Sequence, residues 1–227
     1  MSSILDSEDL LKEAYKLLFS RAQISPYIRN AEGYSGHCRK ATDVAIGTID
    51  AISDSYSSLG KLLDRDLIGI ATMFHDWGYV LGTDLGHEIA GARAIQTSGD
   101  VLGISDYLRD SIAKMIISHW CIHEQYMDER YSLANVFPDV KPGELKPRFL
   151  EQMIVSDADL RVTGDGTFEG AIKDAKERHA GDYGGLYVES LEAAEPRLRR
   201  LYDTMQALKT GVFHGEVELM DNIVLTL

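Results

Sequence analysis

The chain has 227 residues, of which 44% are hydrophobic and 26% charged, and it contains five Pro and two Cys. These values exclude a disordered chain, a collagen-like repeat and a disulfide-rich scaffold, and they allow a sizeable hydrophobic core. Lys and Arg total 23 against 36 Asp and Glu, which gives a formal net charge of -13. Because this charge repels a phosphate backbone, we expect no binding to polymeric nucleic acid.

Features near the start of the chain and along its length predict where the protein resides. The first residues read MSSILDSEDL, with acidic side chains where a secretory signal carries basic ones. The sequence has no run of about 18 apolar residues, the length that spans a bilayer. Cys38 and Cys121 are too few for a disulfide framework and suit a reducing compartment. We therefore expect a cytoplasmic protein without membrane contact.

Apolar residues recur at helical spacing along most of the chain, whereas strict alternation is nearly absent. The pattern predicts an all-α fold. In chain order, the predicted helices are residues 7–22, 35–58, 65–77, 87–98, 105–121, 147–163, 167–180 and 188–210. Asp64 precedes the third of these and is expected to cap its first turn.

Two segments depart from the helical pattern. Residues 126–146 hold Pro138, Pro142 and Gly143 and are predicted to form the one long loop. The tail from residue 215 reads GEVELMDNIVLTL and predicts a short strand or an extended arm. No linker rich in Gly, Ser or Pro divides the chain, so we predict a single domain over residues 1–227.

Four of the seven histidines fall on apolar faces or ends of predicted helices: His37, His75, His87 and His119. Burying an unpartnered polar group costs roughly 2 to 7 kcal/mol, against a total stability of about 5 to 15 kcal/mol for a domain. Asp76 follows His75 at a point where Gly78 is expected to stop the helix, so both side chains can face one ion. Imidazoles and a carboxylate from different helices predict a site for a divalent metal.

The order of these residues resembles the HD superfamily of metal-dependent phosphohydrolases, whose pattern is a His, a His-Asp pair and a later Asp on separate helices. Here the pattern reads His37, His75 with Asp76, and Asp159. The segments ATMFHDWGYV, GHEIAGARAI and MIVSDADL are similar to the family's flanking sequences. The resemblance spans about residues 34–165 and implies an HD-domain helical bundle with extra N- and C-terminal helices.

Two aspartates compete for the closing position of this pattern. Asp157 and Asp159 point about 200° apart on an ideal helix, so they cannot both face one metal. In the family, the closing Asp follows an Ala. Aligning this Ala-Asp dipeptide with Ala158 and Asp159 favours Asp159 as the closing residue, and Asp157 stays as the alternative.

The resemblance also implies a second ion and a catalytic role. His87 and His119 match the histidines that add a second metal in some members, and Asp76 would bridge the ions or orient the attacking water. The ligand set is then His37, His75, Asp76, His87, His119 and Asp159, for one or two ions among Fe, Mn, Mg, Co, Ni and Zn. Arg39 and Lys40 follow His37 most closely and are expected to bind the substrate's remaining phosphate charge. His123 lies one turn beyond His119 and could contribute to the site, although a position facing solvent at the helix end is the favoured expectation. His179 and His214 are expected to lie on the surface.

The function implied is hydrolysis of a phosphate ester, in a nucleotide or similar small metabolite, by attack of metal-bound hydroxide. Two alternatives use the same residues. One is a di-iron oxygenase on the same fold, and the other is a sensor that binds metal and ligand without turnover.

Overall fold

The computed structural model describes residues 7–83, 86–97, 106–119, 147, 149–181, 185–215, 217–219 and 223–225. The helices of these residues are α1 (Ser7–Ile24), α2 (Ala31–Ser55), α3 (Ser57–Gly60), α4 (Arg65–Met73), α5 (Trp77–Val80), α6 (His87–Thr97), α7 (Asp106–Ile117), α8 (Leu150–Val162), α9 (Phe168–Arg178) and α10 (Leu186–Lys209). Strands β1 (Val217–Leu219) and β2 (Ile223–Leu225) form an antiparallel pair near the end of the chain. The fold is an all-α bundle, as predicted.

The predicted helices agree closely with the observed ones. All eight are present, and each end lies within four residues of its predicted position. Asp64 caps α4, because its side chain accepts a hydrogen bond of 2.9 Å from the Leu67 amide. The predicted strand in the tail is confirmed as two short strands. The predicted loop over residues 126–146 lies outside the described residues.

Helix α2 lies at the centre of the bundle and contacts α1, α3, α4, α8 and α10. Its buried stripe contains Cys38, Ala41, Ala45, Ile49 and Ile52, spaced at three or four residues. Small side chains in this stripe let neighbouring helices approach α2 closely, and Ile49 and Ile52 fill the space further along. Helix α2, which carries His37, therefore packs against α4, which precedes His75, and against α8, which carries Asp159.

The helix predicted over residues 65–77 is present but ends four residues early, because α4 ends at Met73. The amides of His75 and Trp77 bond to carbonyls three residues back, so the chain turns more tightly before α5 begins. Gly78 does not stop a helix but lies inside α5. A Cβ at Gly78 would lie 2.1 Å from the His87 carbonyl oxygen, so glycine is needed where α5 crosses the start of α6. This crossing brings His87 close to the His75-Asp76 turn.

Within the described part of the chain, none of the helices has the length and apolar character needed to cross a bilayer.

Candidate metal centre

The six predicted ligands converge on one place in the bundle. His37 comes from α2, and the turn after α4 supplies His75 and Asp76. His87 is the first residue of α6, His119 follows the end of α7, and Asp159 lies in α8. Five separate parts of the chain thus contribute side chains to a single cluster.

One half of the cluster surrounds the Oδ2 atom of Asp76. This oxygen lies 3.5 Å from His37 Nε2 and 3.3 Å from His75 Nε2. Asp159 approaches the same two imidazoles, with its Oδ1 at 3.1 Å from His37 Nε2 and 3.5 Å from His75 Nε2. The two Nε2 atoms are 3.3 Å apart. Two imidazoles and two carboxylates therefore face one point.

The other half of the cluster surrounds the Oδ1 atom of Asp76. This oxygen lies 3.2 Å from His87 Nε2 and 3.6 Å from His119 Nε2. The two oxygens of Asp76 thus face different pairs of imidazoles. Potential ligand atoms of Asp76, His87 and His119 all lie within 4.8 Å of one another, as do those of His37, His75 and Asp76. Asp76 is the residue that joins the two halves.

Backbone carbonyls at helix ends set the orientation of two imidazoles. The Nδ1 atom of His75 donates to the Thr72 carbonyl at 2.7 Å, in the last turn of α4. His119 does the same to the Ile116 carbonyl at 2.7 Å, in the last turn of α7. Each carbonyl also accepts the backbone amide of the same histidine, at 3.5 Å for His75 and 3.3 Å for His119. Because Nδ1 of each ring donates to a carbonyl, Nε2 is the ring nitrogen that is directed into the cluster.

The buried charges of the cluster shift the pKa values of its members. His75 is fully buried, and burial alone would lower its pKa. The carboxylates of Asp76 and Asp159 outweigh burial and raise the pKa of His75 well above its ordinary value. Burial would raise the pKa of Asp159, but the imidazoles of His75 and His37 hold it well below its usual range. The cluster therefore stabilises positive charge at its centre.

One atom of the cluster lacks any hydrogen bond. His119 is buried, and its Nε2 has no hydrogen-bond partner among the described residues. The nearest carboxylate oxygen is 3.6 Å away, beyond hydrogen-bond distance. A buried acceptor left in this state is costly, and a cation bound between His119, His87 and Asp76 would satisfy it. The buried His and Asp groups could thus hold a metal ion.

The two competing aspartates of α8 have different surroundings. Asp159 faces His37 and His75 in the cluster, whereas Asp157 lies outside it. Asp157 instead accepts hydrogen bonds from Arg161 Nε at 2.7 Å and Lys209 Nζ at 3.1 Å. The geometry therefore favours Asp159 as the closing residue.

The cluster forms the floor of a pocket of about 400 Å³. This volume lies within the range of roughly 300 to 1,000 Å³ typical of sites for small ligands. Besides five of the six cluster residues, the pocket is lined by Tyr34, Tyr79, Thr163, Arg178, His179 and Tyr187. The Tyr79 ring stacks on the His87 ring, with centroids 4.1 Å apart. A small molecule in this pocket could reach the cluster directly.

The basic residues predicted to bind substrate lie away from this pocket. Lys40 is exposed and lines a neighbouring shallow pocket of about 440 Å³, which also borders His37. Arg39 is exposed on the other side of α2, where its guanidinium lies 5.4 Å from the centroid of the Tyr15 ring. Among the described residues that line the pocket over the cluster, Arg178 carries the positive charge.

The outer histidines differ in their positions. His214 is exposed, as predicted, and His123 lies outside the described residues. The expectation of a surface position for His179 is wrong, because this half-buried side chain lines the pocket and stacks on Tyr187. Neither His179 nor Arg178 carries a signal in the sequence, since both lie in the polar segment KDAKERHAGD, which has no motif.

No family model, curated protein or solved structure matches the chain. Any assignment of function must therefore come from the residues of the cluster and of the pocket above it.

Proposed function

We propose that the chain is a metal-dependent phosphohydrolase of the HD superfamily that hydrolyses a phosphate ester of a nucleotide or similar small metabolite. One observation carries the proposal: the two carboxylate oxygens of Asp76 face two different pairs of imidazoles at the floor of an open pocket. A carboxylate placed in this way is suited to bridge two cations, and four imidazoles with two carboxylates favour divalent transition metals.

The proposed ligands are the six residues of the cluster, with Asp76 shared between two ions. What a bound divalent ion would supply is a hydroxide nucleophile at neutral pH and positive charge next to a phosphoryl oxygen. His75 and His119 keep their Nε2 atoms directed at the centre through their bonds to Thr72 and Ile116. Tyr34 donates to the Asp76 carbonyl oxygen at 2.9 Å, which holds the backbone of the bridging residue in place.

Charge also supports a small phosphate ester as the substrate. The formal net charge of -13 opposes the approach of anions from a distance, so an anionic substrate needs concentrated positive charge at the site itself. Cations at the floor of a pocket of about 400 Å³ would provide it. A pocket of this size admits a metabolite and excludes a macromolecule.

The test begins with elemental analysis of the purified protein, followed by a screen of phosphate esters with the metal that is found. We expect one or two divalent ions per chain and release of inorganic phosphate. His75→Ala should abolish phosphate release and remove the ion of its own half of the cluster, whereas the matched control His214→Ala should change neither phosphate release nor metal content, because His214 is exposed and lies outside the cluster.

Three results would overturn the proposal. The first is a protein that binds no metal after incubation with the divalent ions. The second is full phosphatase activity in His75→Ala. The third is a pair of irons with oxygen consumption and no phosphate release, which would identify an oxygenase on the same ligands.

A further inference from the structure

One wall of the pocket comes from the C-terminal part of the chain, beyond the segment that resembles the HD superfamily. Arg178 is the last residue of α9, His179 follows it, and Tyr187 lies in the first turn of α10. All three line the pocket above the cluster. We call Arg178, His179 and Tyr187 the recognition wall. Because these helices pack on α8, the wall is held opposite the residues that could bind metal.

Arg178 offers donors to a ligand in this pocket. Its Nε atom pairs with Asp174 Oδ2 at 2.8 Å, and Asp174 does not line the pocket. Among the described residues, the two terminal amino groups of Arg178 have no partner. The bond to Asp174 uses the Nε edge of the guanidinium. The outer edge, formed by the two terminal amino groups, can bind two oxygens of a phosphate at once.

His179 and Tyr187 give the wall a flat aromatic surface. Their ring centroids are 4.1 Å apart with an angle of 27° between the planes, so the two rings stack. Tyr187 is buried and supports His179, which is half-buried at the edge of the pocket. A planar ring of a ligand could continue this stack, and such contacts are worth about 0.5 to 1.5 kcal/mol beyond the area they bury.

We propose that the recognition wall selects a nucleoside diphosphate, with the base stacked on His179 and one phosphate bound by Arg178. This inference rests on the proposed function, because the terminal phosphate is the group placed at the metal centre. Water would add to its phosphorus and the P–O bond to the inner phosphate would break, so that inorganic phosphate and a nucleoside monophosphate leave, while Arg178 holds the inner phosphate. A second phosphate needs a cation of its own in a chain with a net charge of -13, and Arg178 is the cation of the described residues that lines this pocket. With a monophosphate at the metal centre, Arg178 would keep only its pair with Asp174 and would bind no phosphate.

The test measures binding rather than turnover, and its probe is α,β-methylene-ADP, in which the bridging oxygen is replaced by carbon so that the diphosphate stays intact. Calorimetry on the metal-loaded protein gives the dissociation constant for this probe and for methylenediphosphonate, which has the two phosphorus groups and no ring. We expect Arg178→Gln to weaken binding of both probes at least about tenfold, because charge-assisted hydrogen bonds to an anion are lost. The matched control is Lys173→Gln, since Lys173 lies on the same helix and is exposed outside the pocket.

A second variant tests the aromatic part of the wall. We expect His179→Ala to weaken binding of α,β-methylene-ADP about threefold to tenfold and to leave methylenediphosphonate within twofold. His214→Ala is the control, because it removes an exposed histidine outside the pocket. Elemental analysis of every variant should give the wild-type metal content. Weaker probe binding is then due to the changed side chain of the recognition wall and not to loss of metal ions.

The inference is overturned if the wild-type protein fails to bind α,β-methylene-ADP, or if Arg178→Gln binds it as tightly as Lys173→Gln. It is also overturned if His179→Ala weakens both probes equally. These results are distinguishable from failure of the proposed function. Binding that depends on Arg178 without any phosphate release would refute hydrolysis alone, whereas hydrolysis that ignores Arg178 would refute the recognition wall alone.

Discussion

Two carboxylates of α8 lie two residues apart and are both buried, yet their charges are balanced in opposite ways. Asp157, with a side chain 0% exposed, bonds to the cations of Arg161 and Lys209. Asp159, 11% exposed, meets the imidazoles of His37 and His75. The chain supplies permanent positive charge at Asp157. At Asp159 it supplies groups that are neutral unless protonated, so the balancing charge must come from a proton or a metal ion.

The surroundings of Asp157 indicate a structural role. Arg161 also donates to the Tyr202 hydroxyl at 3.1 Å, and its guanidinium lies 4.1 Å from the centroid of that ring. Tyr202 and Lys209 both belong to α10, so this network ties α10 to α8. The pair of aspartates thus places a structural contact on one face of α8 and a candidate reactive centre on the other.

The largest expected effect is loss of the metal centre in Asp76→Ala. This change removes the carboxylate that faces both imidazole pairs, so affinity for both ions should fall by more than about 100-fold, beyond the loss typical of residues that only orient ligands. Phosphate release should disappear with the metal, and elemental analysis after dialysis measures the loss. Two ions retained in Asp76→Ala would refute the bridging role.

The next effect separates the two aspartates of α8. Asp157→Asn leaves Arg161 and Lys209 without a buried anionic partner, and we expect it to reduce the free energy of unfolding by about 3 kcal/mol. Its metal content should stay at the wild-type level. Asp159→Asn should instead lose metal, because Asp159 faces the imidazoles of His37 and His75. Urea titration measures the free energy of unfolding of both variants, and elemental analysis measures their metal content. If both quantities changed equally in the two variants, the two aspartates would not have different roles.

A smaller effect is expected from His119→Ala, which tests the second half of the cluster by itself. His119 approaches the Oδ1 atom of Asp76, whereas His37 and His75 approach Oδ2. Metal content should therefore fall from two ions per chain to one. If His119→Ala binds as many ions as the wild-type protein, the centre holds one ion that His119 does not ligate.

The smallest effect concerns the cations around Asp157. Lys209→Met leaves Asp157 paired with Arg161, so we expect a loss of only about 1 kcal/mol in the free energy of unfolding. Lys173→Met is the control, because its pair with Glu177 is exposed and should contribute less than about 0.5 kcal/mol. A loss in Lys209→Met as large as that in Asp157→Asn would mean that Lys209 alone balances the buried charge.

The sequence by itself predicted the helices and the candidate ligands. Helical periodicity depends on neighbours three and four residues apart, so it can be read from the sequence. It located the eight longer helices of the described residues. The same periodicity showed which histidines lie on apolar helix faces. Because a buried polar group requires a partner, these histidines predicted a shared ligand. Together with the order of His37, His75, Asp76 and Asp159, this was enough to nominate a cluster that the structure brings together.

Only the tertiary structure decided which groups surround these ligands. Arg178 and His179 lie in a polar segment, and the packing of α9 and α10 on α8 is what brings them to the pocket. Lys209 reaches Asp157 across 52 positions of sequence. Gly78 lies so close to the His87 backbone that a Cβ would not fit there. Contacts between distant segments arise from how helices pack, and periodicity within one helix carries no information about them.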